Sequence, residues 1–327
     1  MIRLHTFCAA ALAAGLTAGF GAGPASAEKM TYLFPAPPIL PSFGPLQLAK
    51  QRGYFKAAGL EVAFATAKGG VDVAKQVGVG NAEMGGGLAD SPIIVRAQGI
   101  PVRSVVAFGG RGFMQLVVRE DSGITTPAGL KGKNVSVMSY QDTTYYALRG
   151  MLAATGLKVQ DINAMAVGPR AVPGMVIQGK AVGCACVPDW IPPIQAAKIK
   201  IRIIKSEDYF PHMAQASLAS DKLIAANPAL IKKFVGAVLK GMKDVMDNPA
   251  GAAKDFAKAA PMWKGKEGYV TAVFKYFAEL VYPGQKVLGE IDAKRLAKLQ
   301  EFYVAQGIVR KKVPLDDLYT NRFVTGK

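Results

Sequence analysis

The chain has 327 residues, of which 50% are hydrophobic and 19% charged, so it is long enough for two domains and is not globally disordered. Lysine and arginine number 40 against 23 acidic residues, a formal net charge of +17. The histidines are His5 and His212, and the cysteines are Cys8, Cys184 and Cys186. This scarcity disfavours histidine-based hydrolase triads, metal sites with several histidines and disulfide-rich scaffolds.

Residues 1–27 have the pattern of a secretory signal peptide. Arg3 supplies a short positive region, residues 4–20 are apolar and rich in alanine, and residues 25–27 form a small-x-small cleavage site. A membrane anchor is the alternative, but the many Ala and Gly residues make this stretch weakly hydrophobic. We therefore expect export to the periplasm, with the mature chain beginning at Glu28. Nucleic acid is not an expected partner, because the basic residues are spread along the chain.

From residue 30 to residue 108, strand patterns alternate with helix patterns. The many prolines between Pro35 and Pro45 predict an irregular loop after the first strand. The order strand, helix, strand favours an α/β fold with mostly parallel strands. The predicted strands are 30–34, 60–64, 82–84 and 101–108, and the predicted helices are 46–51, 71–79 and one that begins at residue 91.

A second alternation follows, and the chain after residue 220 is helical. Asn227-Pro228 and Asn248-Pro249 are N-caps with proline at the first helical position. Two α/β units with a helical tail predict two lobes with a cleft between them. The predicted strands here are 113–119, 134–138, 164–167, 181–186 and 200–204, and the predicted helices are 143–155, 173–178, 190–197, 268–280 and 291–306.

Several short motifs, in order and spacing, resemble one transporter family. They are LQLAKQRGYFKAAGLEV at 46–62, GIPVR at 99–103, DSGI at 121–124 with LKGK at 130–133, and the two Asn-Pro helix starts. Over about residues 30–260 the chain resembles the periplasmic substrate-binding proteins of ABC importers for nitrate, taurine, alkanesulfonates and thiamine-type pyrimidines.

The resemblance implies a type II-like periplasmic binding fold, in which two α/β lobes, each a mostly parallel sheet flanked by helices, close over a ligand. Lobe 1 would comprise residues 28–114 and 217–327, and lobe 2 residues 115–216. The two crossing strands would lie near 113–119 and 212–220, and a helical tail would follow. The family implies a monomer that passes a small-molecule ligand to an ABC permease, with no cofactor, metal or catalytic residue.

Candidate ligand contacts lie in the loops that follow strands. Hydroxyls, glycine N–H groups at helix starts and aromatic rings suit a polar, planar solute, although each loop also fits a plain turn, cap or packing residue. Asp90 is interpreted as a helix cap, and Cys184 and Cys186 as two buried free thiols. The candidates are Ser42, Phe43, Gly69, Gly70, Ser91, Arg111, Tyr140, Thr143, Thr144, Tyr145, Asp189 and Trp190.

The predicted function is capture of a small organic anion, sulfonate-like or carboxylate-like, because the net positive charge would steer anions. A thiamine-type pyrimidine precursor is the alternative ligand, and a periplasmic sensor module is an alternative to an importer component. An enzyme similar to the eukaryotic pyrimidine-precursor synthase is disfavoured. That enzyme has a cysteine-rich run and active-site histidines, whereas this chain after residue 27 has one histidine and two cysteines.

Overall fold

The structure of the protein is a computed structural model that describes residues 27–326. The predicted signal peptide therefore lies, apart from Ala27, outside the described residues. Within residues 27–326 no helix has both the length and the apolar character needed to cross a membrane.

The elements follow the predicted order closely. The strands are β1 (Glu28–Phe34), β2 (Leu60–Thr66), β3 (Met84–Leu88), β4 (Val102–Ala107), β5 (Gln115–Arg119), β6 (Asn134–Val137), β7 (Asn163–Ala166), β8 (Gly183–Cys186), β9 (Ile201–Lys205) and β10 (Gln215–Ser220). The helices are α1 (Gly44–Gln51), α2 (Tyr54–Ala57), α3 (Gly70–Gly78), α4 (Ser91–Arg96), α5 (Thr143–Ala153), α6 (Val172–Ile177), α7 (Ile191–Ala196), α8 (Asp221–Ala226), α9 (Pro228–Asp247), α10 (Pro249–Ala259), α11 (Glu267–Tyr276), α12 (Ala293–Ala305) and α13 (Arg322–Thr325).

The strands form two sheets with the same internal arrangement. The first sheet has the order β2-β1-β3-β10-β4 and the second has the order β7-β6-β8-β5-β9. In each sheet four strands point the same way, and one antiparallel strand, β10 or β5, lies between the third and the fourth. The chain passes between the sheets twice, at residues 108–114 and 206–214, and each antiparallel strand follows one of these passages. The predicted two-lobe α/β fold is confirmed, whereas the lobe boundaries stay a prediction.

The C-terminal helices do not all pack on the first lobe. Helices α9 and α10 pack against α1, as expected for a tail that returns to the first sheet. Helix α11 also contacts α7 and the turn Pro188–Trp190, which follow β8 of the second sheet. The tail therefore bridges both halves of the molecule.

Helix α9 was predictable from the sequence because of its apolar spacing and its N-cap. Its apolar residues recur at helical spacing, and the side chain of Asn227 caps it by accepting the N–H of Leu230 at 3.1 Å. Gly241 lets α9 approach α1 closely, because a Cβ there would lie 2.1 Å from the carbonyl oxygen of Pro45. The buried face comprises Leu230, Ile231, Phe234, Val235, Ala237, Val238, Gly241, Met242 and Val245.

Two local expectations were wrong. The irregular loop ends early, because Pro41 and Pro45 occupy first-turn positions of a 3-10 turn (Pro41–Phe43) and of α1, where a missing N–H costs nothing. Cys184 and Cys186 are joined by a disulfide rather than free. Alternate residues of a strand point to the same face, and their Cα atoms lie 5.0 Å apart, within disulfide range.

Candidate functional site

A narrow cavity of about 50 Å³ lies between loops of the two sheets. Its walls come from the loops after β1, β6, β7 and β8, from the end of β3 and the start of β10, and from the first turns of helices, as expected for an α/β fold. A volume of this size holds a few water molecules. The lining residues are Pro35, Ala36, Leu40, Ser42, Phe43, Gly70, Gly87, Leu88, Phe113, Met138, Asp142, Thr143, Thr144, Pro169, Val187, Asp189, Trp190 and Gln215.

Asp189 joins the second-sheet wall to the first-sheet wall. Its side chain is 2% exposed, and its Oδ1 accepts a hydrogen bond of 2.8 Å from the backbone N–H of Ser42. Its carbonyl oxygen accepts a hydrogen bond of 2.5 Å from the hydroxyl of Tyr269. The other carboxylate oxygen, Oδ2, is buried without a hydrogen-bond partner in the described structure. Burial raises the pKa of this carboxyl to about 6.

Asp142 makes a similar contact to a different first-sheet loop. It caps α5, and its Oδ1 accepts from the backbone N–H of Thr144 at 2.9 Å and from the Thr144 hydroxyl at 2.5 Å. The backbone N–H of Gly70, at the start of α3, also faces this carboxylate. Burial raises the pKa of Asp142, while these hydrogen bonds oppose that change. Two carboxylates from the second sheet thus point at helix starts of the first.

Asp90 and Ser91 form a third polar group beside the cavity. The interpretation of Asp90 as a cap was wrong, because its Oδ2 accepts from the buried hydroxyl of Tyr303, which lies far away in the sequence. Burial raises the pKa of Asp90 to about 6. Asp90 Oδ1 and Ser91 Oγ are buried without a partner in the described structure. A Cβ on Gly87, which lines the cavity, would lie 2.7 Å from Ser91 Oγ.

Aromatic side chains from three parts of the chain surround the cleft. Phe43, Phe113 and Trp190 line it. Trp263 and Tyr269 stack with ring centroids 4.8 Å apart and planes 7° apart, and the Trp263 ring N–H donates to the carbonyl oxygen of Ile39 at 2.6 Å. This stacked pair therefore contacts a first-sheet loop through Trp263 and a second-sheet loop through Tyr269.

Arg295 connects the two passages between the sheets through hydrogen bonds and an ion pair. Arg295 of α12 donates to the carbonyl oxygens of Gly110 at 3.0 Å and His212 at 2.9 Å, and it pairs with Glu207. Glu207 in turn accepts the backbone N–H of Gly112 at 2.6 Å. Burial lowers the pKa of His212 to about 4, so its imidazole is neutral at pH 7.

A family model described as "NMT1/THI5 like" matches residues 40–252, about two thirds of the chain. The chain belongs to the NMT1/THI5-like family. The matched segment includes α1 and both passages between the sheets. It also includes all the residues that line the cavity except Pro35 and Ala36.

The proteins similar to this chain are named for different ligands and activities. The riboflavin-binding protein RibY of Chloroflexus aurantiacus is 25% identical over 294 residues, 87% of this chain and 83% of RibY. The 4-amino-5-hydroxymethyl-2-methylpyrimidine phosphate synthase THI13 of Saccharomyces cerevisiae is 26% identical over 300 residues, 86% of each chain. The alkanesulfonate-binding protein SsuA of Xanthomonas axonopodis pv. citri, solved with MOPS, superposes with a TM-score of 0.71 at 18% identity, covering 90% of this chain and 98% of that one.

The structure brings most of the candidate residues to this NMT1/THI5-like cleft. Ser42, Phe43, Gly70, Thr143, Thr144, Asp189 and Trp190 line the cavity. Gly69 and Ser91 lie directly behind the lining, since a Cβ on Gly69 would be 3.7 Å from Asp142 Oδ2. All of these stay predictions as ligand contacts.

Three candidates lie elsewhere. Arg111 is exposed and donates to the carbonyl oxygen of Glu279 at 3.2 Å. Tyr140 is 52% exposed, and its hydroxyl donates to the carbonyl oxygen of Ala164. The Tyr145 ring packs on that of Tyr140 at 5.3 Å.

Other residues in or beside the lining were not identified from the sequence. Asp142 immediately precedes a predicted helix, and that position was the available signal for a buried N-cap at the cleft. Gln215 is the first residue of β10, a strand of small and apolar residues with two serines, and nothing local marks it as a cleft residue. Trp263 and Tyr269 had no such signal, because they lie in the helical tail and reach the cleft only through tertiary packing.

Proposed function

We propose that this protein is an exported solute-binding protein that holds a small planar organic solute between its two lobes and delivers it to an ABC permease. The observation that supports this most directly is the cavity itself, whose two walls come from different sheets and meet through Asp189 and Ser42. A solute there would contact both lobes at once and stabilise the closed arrangement. The periplasmic location follows from the predicted signal peptide.

The planar shape of the solute is inferred from the walls. Phe43, Phe113 and Trp190 present ring surfaces, while Ser42, Thr143 and Asp189 offer polar atoms at the edges. Ligand sites with apolar walls and few convergent polar groups hold ring-shaped solutes in a fixed orientation. The named solutes of the relatives include both a flavin and a sulfonate, so the family alone leaves the solute open.

Binding without turnover is proposed because of the chemistry of the lining. Several relatives are named as synthases. Among the described residues that line this cavity there is no histidine, the side chain that most often acts as a general acid or base, and no lysine or cysteine. A sensor partner would use the same cleft, and the identity of the membrane partner separates it from an importer.

The test measures three properties of one preparation: the N-terminus of the exported chain, the solute that it retains and the closure of its two lobes. The full chain is expressed, the N-terminus of the periplasmic form is sequenced, and co-purified solute is sought by native mass spectrometry. We expect the chain to begin at Glu28, a solute to be retained, and the radius of gyration from small-angle scattering to rise when that solute is stripped. An unchanged radius with and without a tightly bound solute would contradict the proposal, and conversion of the solute on long incubation would indicate an enzyme.

A further inference from the structure

We infer that Asp189 determines the specificity of the cleft by selecting a planar solute that offers an N–H donor and carries no net negative charge. This inference rests on the proposed function, because it assigns a solute class to the same site. It departs from the expected small organic anion, and it is carried by the position of Asp189 and by the charges around it.

The first argument is the unpartnered oxygen of Asp189. Its Oδ1 is held by the Ser42 N–H, and its main chain is held by the hydroxyl of Tyr269, so the carboxylate has a fixed orientation. Oδ2 is buried without a partner, and Asp189 lines the cavity. Buried polar atoms in proteins are almost always hydrogen-bonded, to the protein, to water or to a ligand, so this oxygen at the cavity wall is an acceptor that a bound solute can use. A carboxylate oxygen accepts, and the group that it binds is therefore a donor.

The second argument is that the lining carries negative charge without a compensating cation. Asp142 and Asp189 both line the cavity, and no lysine, arginine or histidine does so among the described residues. The groups that face Asp189 are the backbone N–H and the hydroxyl of Ser42 and the tyrosines Tyr269 and Tyr282, and all of them are neutral at pH 7. An anionic solute would be repelled by two carboxylates in a buried site where screening is weak.

The third argument concerns the N–H groups that an anion would use. Helix starts offer free backbone N–H groups to anions. Here the N–H of Ser42 is bonded to Asp189, and the N–H of Gly70 faces Asp142. The protein's own carboxylates therefore occupy these two N–H groups. The net charge of +17 is therefore a property of the surface and does not describe this cavity.

The choice of an N–H donor follows from the walls. The cavity is narrow and flanked by Phe43, Phe113 and Trp190, which fits a flat ring better than a polyhydroxylated solute. A nitrogen heterocycle places N–H groups in the plane of the ring, at its edge. Asp189 Oδ2 can accept such a group while the ring contacts the aromatic walls.

The experiment compares two panels of solutes on the wild-type protein after solute removal. One panel holds 4-amino-5-hydroxymethyl-2-methylpyrimidine and cytosine, and the other holds orotate, benzoate, ethanesulfonate and nitrate. Cytosine and orotate share a pyrimidine ring and differ in negative charge. Dissociation constants are measured by calorimetry for the wild type, for Asp189→Asn and for Asp208→Asn, whose carboxylate is exposed.

We expect at least one member of the first panel to bind and the second panel to bind at least tenfold more weakly. Asp189→Asn keeps an acceptor for the Ser42 N–H but replaces Oδ2 with a donor, so the bound solute should lose about tenfold to a hundredfold in affinity, as for a hydrogen bond to a charged group. Asp208→Asn should bind like the wild type.

Each other outcome has a separate meaning. Tight binding of the anionic panel overturns this inference and leaves the proposed function standing. Binding of the first panel that Asp189→Asn leaves unchanged overturns the assignment to Asp189. Failure of both panels contradicts the inference, while the co-purified solute and the scattering measurement still decide the proposed function. Because the wild-type comparison needs no variant, it stays decisive if Asp189→Asn misfolds.

Discussion

Asp189 and Ser42 meet across the cleft, where the Oδ1 atom of the aspartate accepts the serine backbone N–H at 2.8 Å. The two residues are 147 positions apart in the chain and follow strands of different sheets. The bond is buried and joins the two walls of the cleft. It therefore exists only while these walls are in contact. Opening the cleft would return both groups to water, and closing it would desolvate a carboxylate. This contact therefore couples the charge of Asp189 to the closed arrangement.

The first prediction concerns stability against pH. Burial raises the pKa of Asp189 to about 6, above its ordinary value of 3.8, so between about pH 4 and pH 6 the folded state binds more protons than the unfolded state. The free energy of unfolding then falls as pH rises through this window, and the loss is complete above it. We expect Asp189→Asn without solute to be more stable than the wild type by about 1–3 kcal/mol at pH 7.5 and nearly equal to it at pH 4.

Denaturant unfolding of both proteins at several pH values measures this difference. Other groups titrate in the same range, among them Asp90, so the informative quantity is the difference between variant and wild type. A difference that stays constant from pH 4 to pH 7.5 would show that Asp189 is not desolvated in the folded protein.

The second prediction concerns the stacked pair at the cleft. Tyr269→Phe keeps the ring that stacks on Trp263 but removes the hydroxyl that donates to the carbonyl oxygen of Asp189. We expect a loss of solute affinity of about twofold to tenfold, the ordinary worth of one neutral hydrogen bond made in the closed state. The fluorescence of the two tryptophans, Trp190 and Trp263, reports binding, since both lie at the cleft.

Tyr276→Phe is the matched control. Its hydroxyl also contacts a second-sheet residue, Gln195 at 3.2 Å, but this contact is exposed to solvent. An exposed hydrogen bond exchanges freely with water, so this variant should bind solute almost as well as the wild type. Equal losses in the two variants would indicate that the contact to Asp189 has no special effect.

The third prediction uses two glycines of helix α9. A Cβ on Gly236 meets nothing within 4 Å, whereas a Cβ on Gly241 would lie 2.1 Å from the carbonyl oxygen of Pro45. Gly236→Ala should stabilise the protein by about 0.5–1 kcal/mol, because alanine favours the helix. Gly241→Ala should destabilise it by about 1–3 kcal/mol, because α1 must move away. Chemical denaturation measures both, and a stabilising Gly241→Ala would show that α1 and α9 are not in close contact.

The fourth prediction concerns Cys184 and Cys186. Because the two are joined to each other by a disulfide, iodoacetamide should modify neither of them in denaturant without reductant. After reduction, mass spectrometry should find both residues alkylated. Alkylation of either one before reduction, in protein purified from the periplasm, would contradict the bond.

Much of the fold could be predicted because its signals are local. The period of apolar residues identified helix α9, and the Asn-Pro pairs marked the starts of α9 and α10. The alternation of strands and helices indicated two α/β units. The loops that contribute Ser42, Thr143 and Trp190 were predicted as ligand loops because α/β folds place ligands at strand ends.

The errors arose where a residue's partner lies far away in the chain. Asp90 looks like a helix cap from its neighbours, yet its carboxylate bonds to Tyr303, 213 residues later. Arg111 stays a prediction as a ligand contact, and its exposed guanidinium donates to the backbone of Glu279 outside the cavity. Local sequence gives the chemistry of such residues but not the direction in which each side chain points.

Sequence patterns predict the order of the strands and helices, the two α/β units and the loops that form the cleft, because periodicity and capping depend on neighbours within a few residues. The charge of the cavity and the aromatic pair beside it follow only from the tertiary structure. Asp142 and Asp189 meet N–H groups of the other sheet, and Trp263 and Tyr269 reach the cleft from the helical tail. Those contacts depend on how the two sheets and the tail close together, and burial of the carboxylates exists only once they have done so.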